Sequence, residues 1–189
     1  MAILIGVSIT LVAGFLLFGP SGRDDVYMTL WPAQQFAQQA EIVNYNGDAL
    51  EQSSSLLHVL VLGTAHHFMG GNIVDLNFGL ILLFGLGSIC LTLALARKLE
   101  LNLLFISVAI GAQASFVYWS MGGLDAVLAA FCWLYLAIAF IRFEKQGKWF
   151  SLLLSIIPLM MVRPENGMVA GLAFGILALI RMVPQPVSY

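Results

Sequence analysis

Long, nearly uncharged runs of hydrocarbon side chains constrain this chain more than any other feature. They occupy positions 2–18, 73–96, 101–119, 124–141, 149–162 and 167–180. A bilayer core about 30 Å thick is crossed by about 20 apolar residues in a helix. With 60% of its 189 residues hydrophobic and 10% charged, the chain is too apolar for a soluble domain and too long for one span. Hydrocarbon offers no partner to a backbone amide, so each run is expected to be helical. The expected fold class is all-α, a single polytopic transmembrane bundle of about six spans over residues 1–189. The run at 149–162 is short: about 14 residues rise only about 21 Å, enough either to cross or to re-enter.

The first run resembles a secretory signal in its position, but no Lys or Arg precedes it and no small-residue cleavage site follows. It reads as a retained helix over 1–19. Cation placement then orients the bundle. With a cytoplasmic N-terminus, Arg97, Lys98, Arg142, Lys145, Lys148 and Arg181 lie at inner ends, and only Arg23 and Arg163 lie outside. That is the distribution of the positive-inside rule. The net charge of -2 supplies no basic stripe, which excludes a nucleic-acid partner. Cys90 and Cys132 each sit in an apolar run and mark neither a disulfide framework nor a metal site.

One segment breaks the hydrocarbon pattern. Residues 20–72 form a polar, acidic outer loop ahead of the remaining spans at 73–183. From Trp31 onward, Ala33, Phe36, Ala37 and Ala40 share one helical face and Gln34, Gln35, Gln38 and Gln39 the other. Pro32 is expected in the first turn of that helix. Asn44, Asn46, Gly47 and Asp48 predict a turn, and Ser53 or Ser54 is placed to cap a second helix through Leu56, Leu57, Leu60 and Leu62. The expectation is two amphipathic helices lying on the outer membrane surface.

Three short segments carry a resemblance. The pair Asp24-Asp25 after the first span with the Ser-rich helix start, then WSMGGLDAVL at 119–128, then VRPENG at 162–167, together resemble GT-C-type glycosyltransferases. These are polytopic enzymes that use polyprenyl-phosphate sugars, including bacterial arabinosyl- and mannosyltransferases. The chain departs from the family in having Asp125 where Glu is usual and Asn166 where Gly is usual. It resembles the N-terminal part of a longer transferase.

The resemblance implies transfer of a sugar from a polyprenyl-phosphate donor to an outer acceptor hydroxyl, on a glycan or lipid, with inversion. It also implies a bacterial plasma membrane, with the site on the extracytoplasmic side among membrane lipids. Divalent-cation dependence varies within the family.

The residues supply chemistry for such a reaction. A carboxylate held at the membrane surface suits the base that takes the acceptor's proton, and Asp24 and Asp25 are the candidates. Their plain alternative is a solvated helix boundary. Arg163 is a candidate to grip the donor phosphate bidentately, against snorkelling to headgroups. Glu165 either joins the site or simply pairs with Arg163. Asp125 is read either as a first-turn carboxylate favoured by the helix dipole or as part of the substrate pocket. Glu51 and Ser54 are read either as helix-capping groups or as partners for sugar hydroxyls.

His58, His66 and His67 lack metal-ligand spacing and read as interface histidines. Tyr27, Trp31, Tyr118, Trp119 and Trp149 read as aromatic-belt residues. Two other classes remain: a transporter subunit, which would place ionisable residues at span centres, and a non-enzymatic scaffold.

Overall fold

The computed structural model describes residues 24–49, 55–112, 122–147 and 149–182, with isolated positions 4, 7, 8, 11, 12, 14, 16 and 118. At 24, 25, 111, 112, 175 and 177–182 it describes the backbone only. Seven helices make up the described chain, with no strand among them: α1 (Asp24–Gln39), α2 (Leu56–Met69), α3 (Ile73–Lys98), α4 (Leu103–Ala112), α5 (Ala126–Gln146), α6 (Trp149–Val162) and α7 (Pro164–Met182). The fold is all-α. Among the described residues, α3 and α5 are long and apolar enough to cross a membrane. Their 26 and 21 residues rise about 39 and 31 Å.

The bundle is organised around α5, which packs on both α3 and α6. Asn77, one turn into α3, donates from Nδ2 to the Gly123 carbonyl just ahead of α5 at 3.0 Å. The two helices therefore start at the same end and run side by side. Gly87 lets them approach closely, because a Cβ there would lie 2.8 Å from the Phe131 ring. Helix α6 runs the other way, so that Arg163 at its end reaches Asp125 at the start of α5. The 14 residues of α6 rise about 21 Å against about 31 Å for α5, and the Arg163 side chain makes the final reach to Asp125.

Pro164 opens α7 and disfavours helical geometry at Arg163, the one residue that separates the two helices. A Cβ on Gly167 would overlap the Met160 side chain, so the corner closes tightly. Leu128, Cys132, Leu136, Leu159, Val162 and Ala170 fill the core between α5, α6 and α7. At positions 7 and 11 the chain is helical, and Val7 and Leu11 are buried against Ile89 of α3.

Cations gather at one end. Arg97, Lys98, Arg142 and Lys145 sit where α3 and α5 finish, together with Glu100 and Glu144, while Asp75, Asp125, Arg163 and Glu165 sit where α3, α5 and α7 begin. Arg23 and Lys148 lie outside the described residues, and the Arg181 side chain is not described.

The segment between the first run and α3, expected as an outer loop, differs in detail from its sequence pattern. Helix α1 begins at Asp24, so Pro32 is its ninth residue and not a first-turn residue. An interior proline costs a helix about 3 kcal/mol. Packing offsets that cost, since Val26, Leu30 and Ala33 are buried against Val59 and Leu62 of α2. Helix α2 is capped by Ser55, whose Oγ accepts from the His58 amide at 3.3 Å. Ser53 and Ser54, the expected caps, lie outside the described residues, as does Glu51. Apolar residues run all around α2. It is packed against α1, α3 and α6 and is not the amphipathic surface helix its serine-rich start suggests.

The Asn44 turn forms as expected: Asn44 Oδ1 accepts from the Asn46 and Asp48 amides, both at 2.9 Å. Aromatic residues pin it to α1. Trp31 Nε1 donates to the Asn44 carbonyl, Tyr45 stacks on Trp31 at 5.3 Å, and the Tyr45 hydroxyl donates to the Tyr27 carbonyl at 2.9 Å. Trp31, read from the sequence as a belt residue, thus holds this turn to α1 together with Tyr45.

The α1–α2 contact depends on Gly63, where a Cβ would lie 2.7 Å from both the Ala33 carbonyl and the Phe36 ring. Gly63→Leu is expected to destabilise the protein by about 1–3 kcal/mol. Thermal unfolding in detergent reads the effect, with Gly79→Leu, whose Cβ direction is open, as a control that does not lower the midpoint.

Candidate functional site

The start of α5 is built on a glycine turn that only one neighbour can complete. Gly122 and Gly123 are buried, and Gly123 has φ +69. A Cβ at Gly123 would lie 3.1 Å from both Asn77 Nδ2 and the Phe78 ring. Glycine is therefore required twice, by conformation and by space. Asn77 is fully buried and donates to the Gly123 carbonyl. Its Oδ1 meets His58 Nε2 at 2.7 Å. Since Nδ2 is committed to a carbonyl, Oδ1 accepts, and the His58 proton is assigned to Nε2.

Two residues past Gly123, Asp125 occupies the N-cap position of α5 without making a side-chain cap bond. It thus stands at the amino end of the helix, where the dipole favours a carboxylate as expected, but it does not close a cap. Its carboxylate instead takes a bidentate fork from Arg163, with Nε to Oδ2 and Nη2 to Oδ1 both at 3.0 Å. Such a pair is geometrically specific and among the stronger polar contacts in proteins. Burial is unequal: the Asp125 side chain is 5% exposed and that of Arg163 41%. Hydrogen bonding to Asp125 holds the guanidinium even more firmly charged than usual. On its outer edge, Arg163 Nη1 faces Glu165 Oε1 at 3.7 Å, and Glu165 is 64% exposed. The pairing of Glu165 with Arg163 is thus present but long and wet.

His58 is 2% exposed and is no interface histidine. Burial pushes its pKa down, opposed by the Asn77 hydrogen bond and by the field of Asp125. Its Nδ1 is buried without a hydrogen-bond partner. His67 Nδ1 lies 2.9 Å from the Ala37 carbonyl, tying α2 back to α1.

Arg163, Asp125 and Glu165, expected from separate motifs, therefore meet at one corner. The backbone of Asp24 and Asp25 opens α1, but their side chains, like Glu51 and Ser54, lie outside what is described. Trp119 does too. Among the described residues, no three His, Cys, Asp or Glu side chains are grouped to hold a metal ion. Asn77 is the residue of this corner that the motifs do not mark, although an Asn one turn inside an apolar run is itself a signal of a buried polar role; Gly123 lies within the 119–128 motif, and His58 reads in the sequence as an interface histidine. No protein-family model, no curated protein and no solved structure matches the chain.

Neutral His58 makes stability depend on pH. Its folded pKa lies below the ordinary 6.5, so the unfolded chain binds the proton first as pH falls. The stability held by the neutral form is complete above pH 6.5 and declines below it, until the folded pKa is passed. The slope from this one group is at most about 1.4 kcal/mol per pH unit. Unfolding in detergent at pH 7.5, 6.5 and 5.5 is expected to show a shallower decline for His58→Gln than for the native chain.

Proposed function

We propose that this chain is a multi-pass membrane glycosyltransferase module. In this reading it moves a sugar from a polyprenyl-phosphate donor to an acceptor hydroxyl on the outer side of a bacterial plasma membrane. The observation that carries this reading is the Asp125–Arg163 fork, which joins the two downstream segments resembling GT-C enzymes at one corner of the bundle.

A guanidinium has five N–H donors. Nε and one donor of Nη2 are committed to Asp125, leaving the outer edge of Nη1 and Nη2 for a second oxyanion. Glu165 holds that edge weakly, and a phosphate displaces it. The amino end of α7 begins beside Arg163 and adds its own attraction for an anion. The buried carboxylate of Asp125 thus aims Arg163 and leaves the phosphate-binding edge free.

Chemistry follows from this placement. The acceptor hydroxyl oxygen attacks the anomeric carbon as the bond from that carbon to the phosphate oxygen breaks. The polyprenyl phosphate leaves with the electron pair, its growing charge met by Arg163. One of Asp24 and Asp25 takes the hydroxyl proton as it is released. A single displacement of this kind inverts the anomeric centre. Asp24 and Asp25 begin the helix that packs on α2, and α2 carries His58, bound through Asn77 to the same corner. That continuity supports a shared site.

Helix polarity and the gathering of cations at one end support six crossings with the opposite end outward. The transporter alternative is disfavoured, because no Asp, Glu, Lys, Arg or His occurs in α3 between Asp75 and Arg97 or in α5 before Arg142.

The test is sugar transfer from polyprenyl-phosphate donors in membranes carrying the full chain. Asp24→Asn combined with Asp25→Asn is expected to lower the rate by about 100-fold or more. Arg163→Lys is expected to cost about 10- to 100-fold through loss of the planar fork, and Glu165→Gln to leave turnover intact. Undiminished transfer by the double Asn variant would sink this assignment.

A further inference from the structure

Among the described residues, His58 is the buried ionisable side chain at this corner to which the proposed reaction gives no task. Two hydrogen bonds connect it, through Asn77, to the turn that aims Asp125. Its Nε2–H is used and its Nδ1 lone pair faces no donor. A buried polar atom left unpaired is costly. Asp125, whose charge acts on this imidazole, is also the group that orients Arg163.

We propose that His58 is a positioning residue for the Arg163 anion site. In its neutral form it fixes the Gly123 turn through Asn77 and so holds Asp125 on Arg163, and a proton added at Nδ1 draws Asp125 away and releases Arg163. The step is an acid–base equilibrium only: Nδ1 takes a proton from solvent, the imidazole becomes a cation, and no other bond is made or broken. Two cations then compete for one buried carboxylate. Arg163, at 41% exposure, has water to turn to, whereas buried His58 does not.

Among the described side chains, the surroundings single out Asp125 as the partner. Those of α1 and α6 packed toward α2 carry no charge: Val26, Leu30 and Ala33 lie on one side, Leu159 and Val162 on the other, and the side chains of Asp24 and Asp25 at the head of α1 lie outside what is described. On α3 the neighbour is neutral Asn77, and Asp75 is exposed. Arg163 and Glu165 are paired around Asp125 itself. His66 and His67 lie two turns along the same helix, and His67 is exposed and bound to the Ala37 carbonyl.

The ligand of Arg163 is taken from the proposed function, but the coupling of His58 to Arg163 does not need it. The deciding experiment therefore reads Arg163 directly. In the full chain, 15N-labelled at arginine and held in detergent micelles, the Arg163 Nε–H resonance is assigned by its loss in Arg163→Lys and followed from pH 7.5 to 5. In the native chain it is expected to move from a paired to a released position as pH falls. In His58→Gln, which keeps a donor for Asn77 but has no titrating nitrogen, it is expected to stay at the paired position throughout. In His58→Leu it is expected to be released at every pH.

A dialkyl phosphate, singly charged over this range, serves as the binding probe. Its affinity for the native chain is expected to fall about tenfold or more toward pH 5, and that for His58→Gln to stay within about twofold. A native-like titration in His58→Gln overturns the proposal, as does a paired signal in folded His58→Leu. If His58→Leu does not fold, His58→Gln decides alone. An Arg163 resonance that follows His58 in a chain that binds no dialkyl phosphate upholds the positioning role and removes the phosphate reading.

Discussion

A carboxylate at 5% exposure cannot stay charged inside a helical bundle without a partner, and Arg163 supplies one to Asp125 from 38 residues away. Taking such a charge out of water costs several kcal/mol, which only good geometry and full hydrogen bonding return. The bidentate fork meets that demand. Because the partner comes from the end of α6, the same bond brings the short helix back to the origin of α5 and sets where α7 begins. Because Arg163 remains 41% exposed, the bond that completes the fold also leaves a charged edge facing outward.

Helices α1 and α2 are joined to this corner by smaller interactions. Aromatic residues hold the Asn44 turn on α1, Gly63 lets α1 settle on α2, and Ser55 starts α2 so that His58 enters the core beside Asn77. Each link is local, yet together they run from the acidic pair at the head of α1 to Asp125. A site assembled from three separate stretches of chain can be positioned only through such continuous contacts.

Helices were the most legible part of the sequence. The apolar runs at 73–96 and 149–162 correspond closely to α3 and α6, since hydrocarbon content and charge mark where a span begins and ends. Local signals misled where tertiary packing outweighed them. Pro32 beside Trp31 reads as a helix start, but α1 tolerates the proline inside because its face is buried on α2. Ser53 or Ser54 reads as the cap of the second helix, but Ser55, buried against the bundle, is the residue that caps it.

At the candidate site, the motifs pointed to Asp125, Arg163 and Glu165 but not to the bond between the first two. A contact across so many residues follows from the antiparallel return of α6, which no local pattern encodes. His58 was hidden among three histidines that look alike in sequence and differ in burial.

The central claim is that Asp125 and Arg163 act as one unit in the folded corner, and a double-mutant cycle tests it most directly. Unfolding free energies in detergent are measured for the native chain, Asp125→Asn, Arg163→Gln and the double variant. A buried charge left unpaired is worse than no charge, so the single changes should cost far more than independent effects allow. The account requires a coupling of about 2 kcal/mol or more, with the double variant no less stable than Arg163→Gln alone. Additive effects, with coupling within about 0.5 kcal/mol of zero, would contradict it.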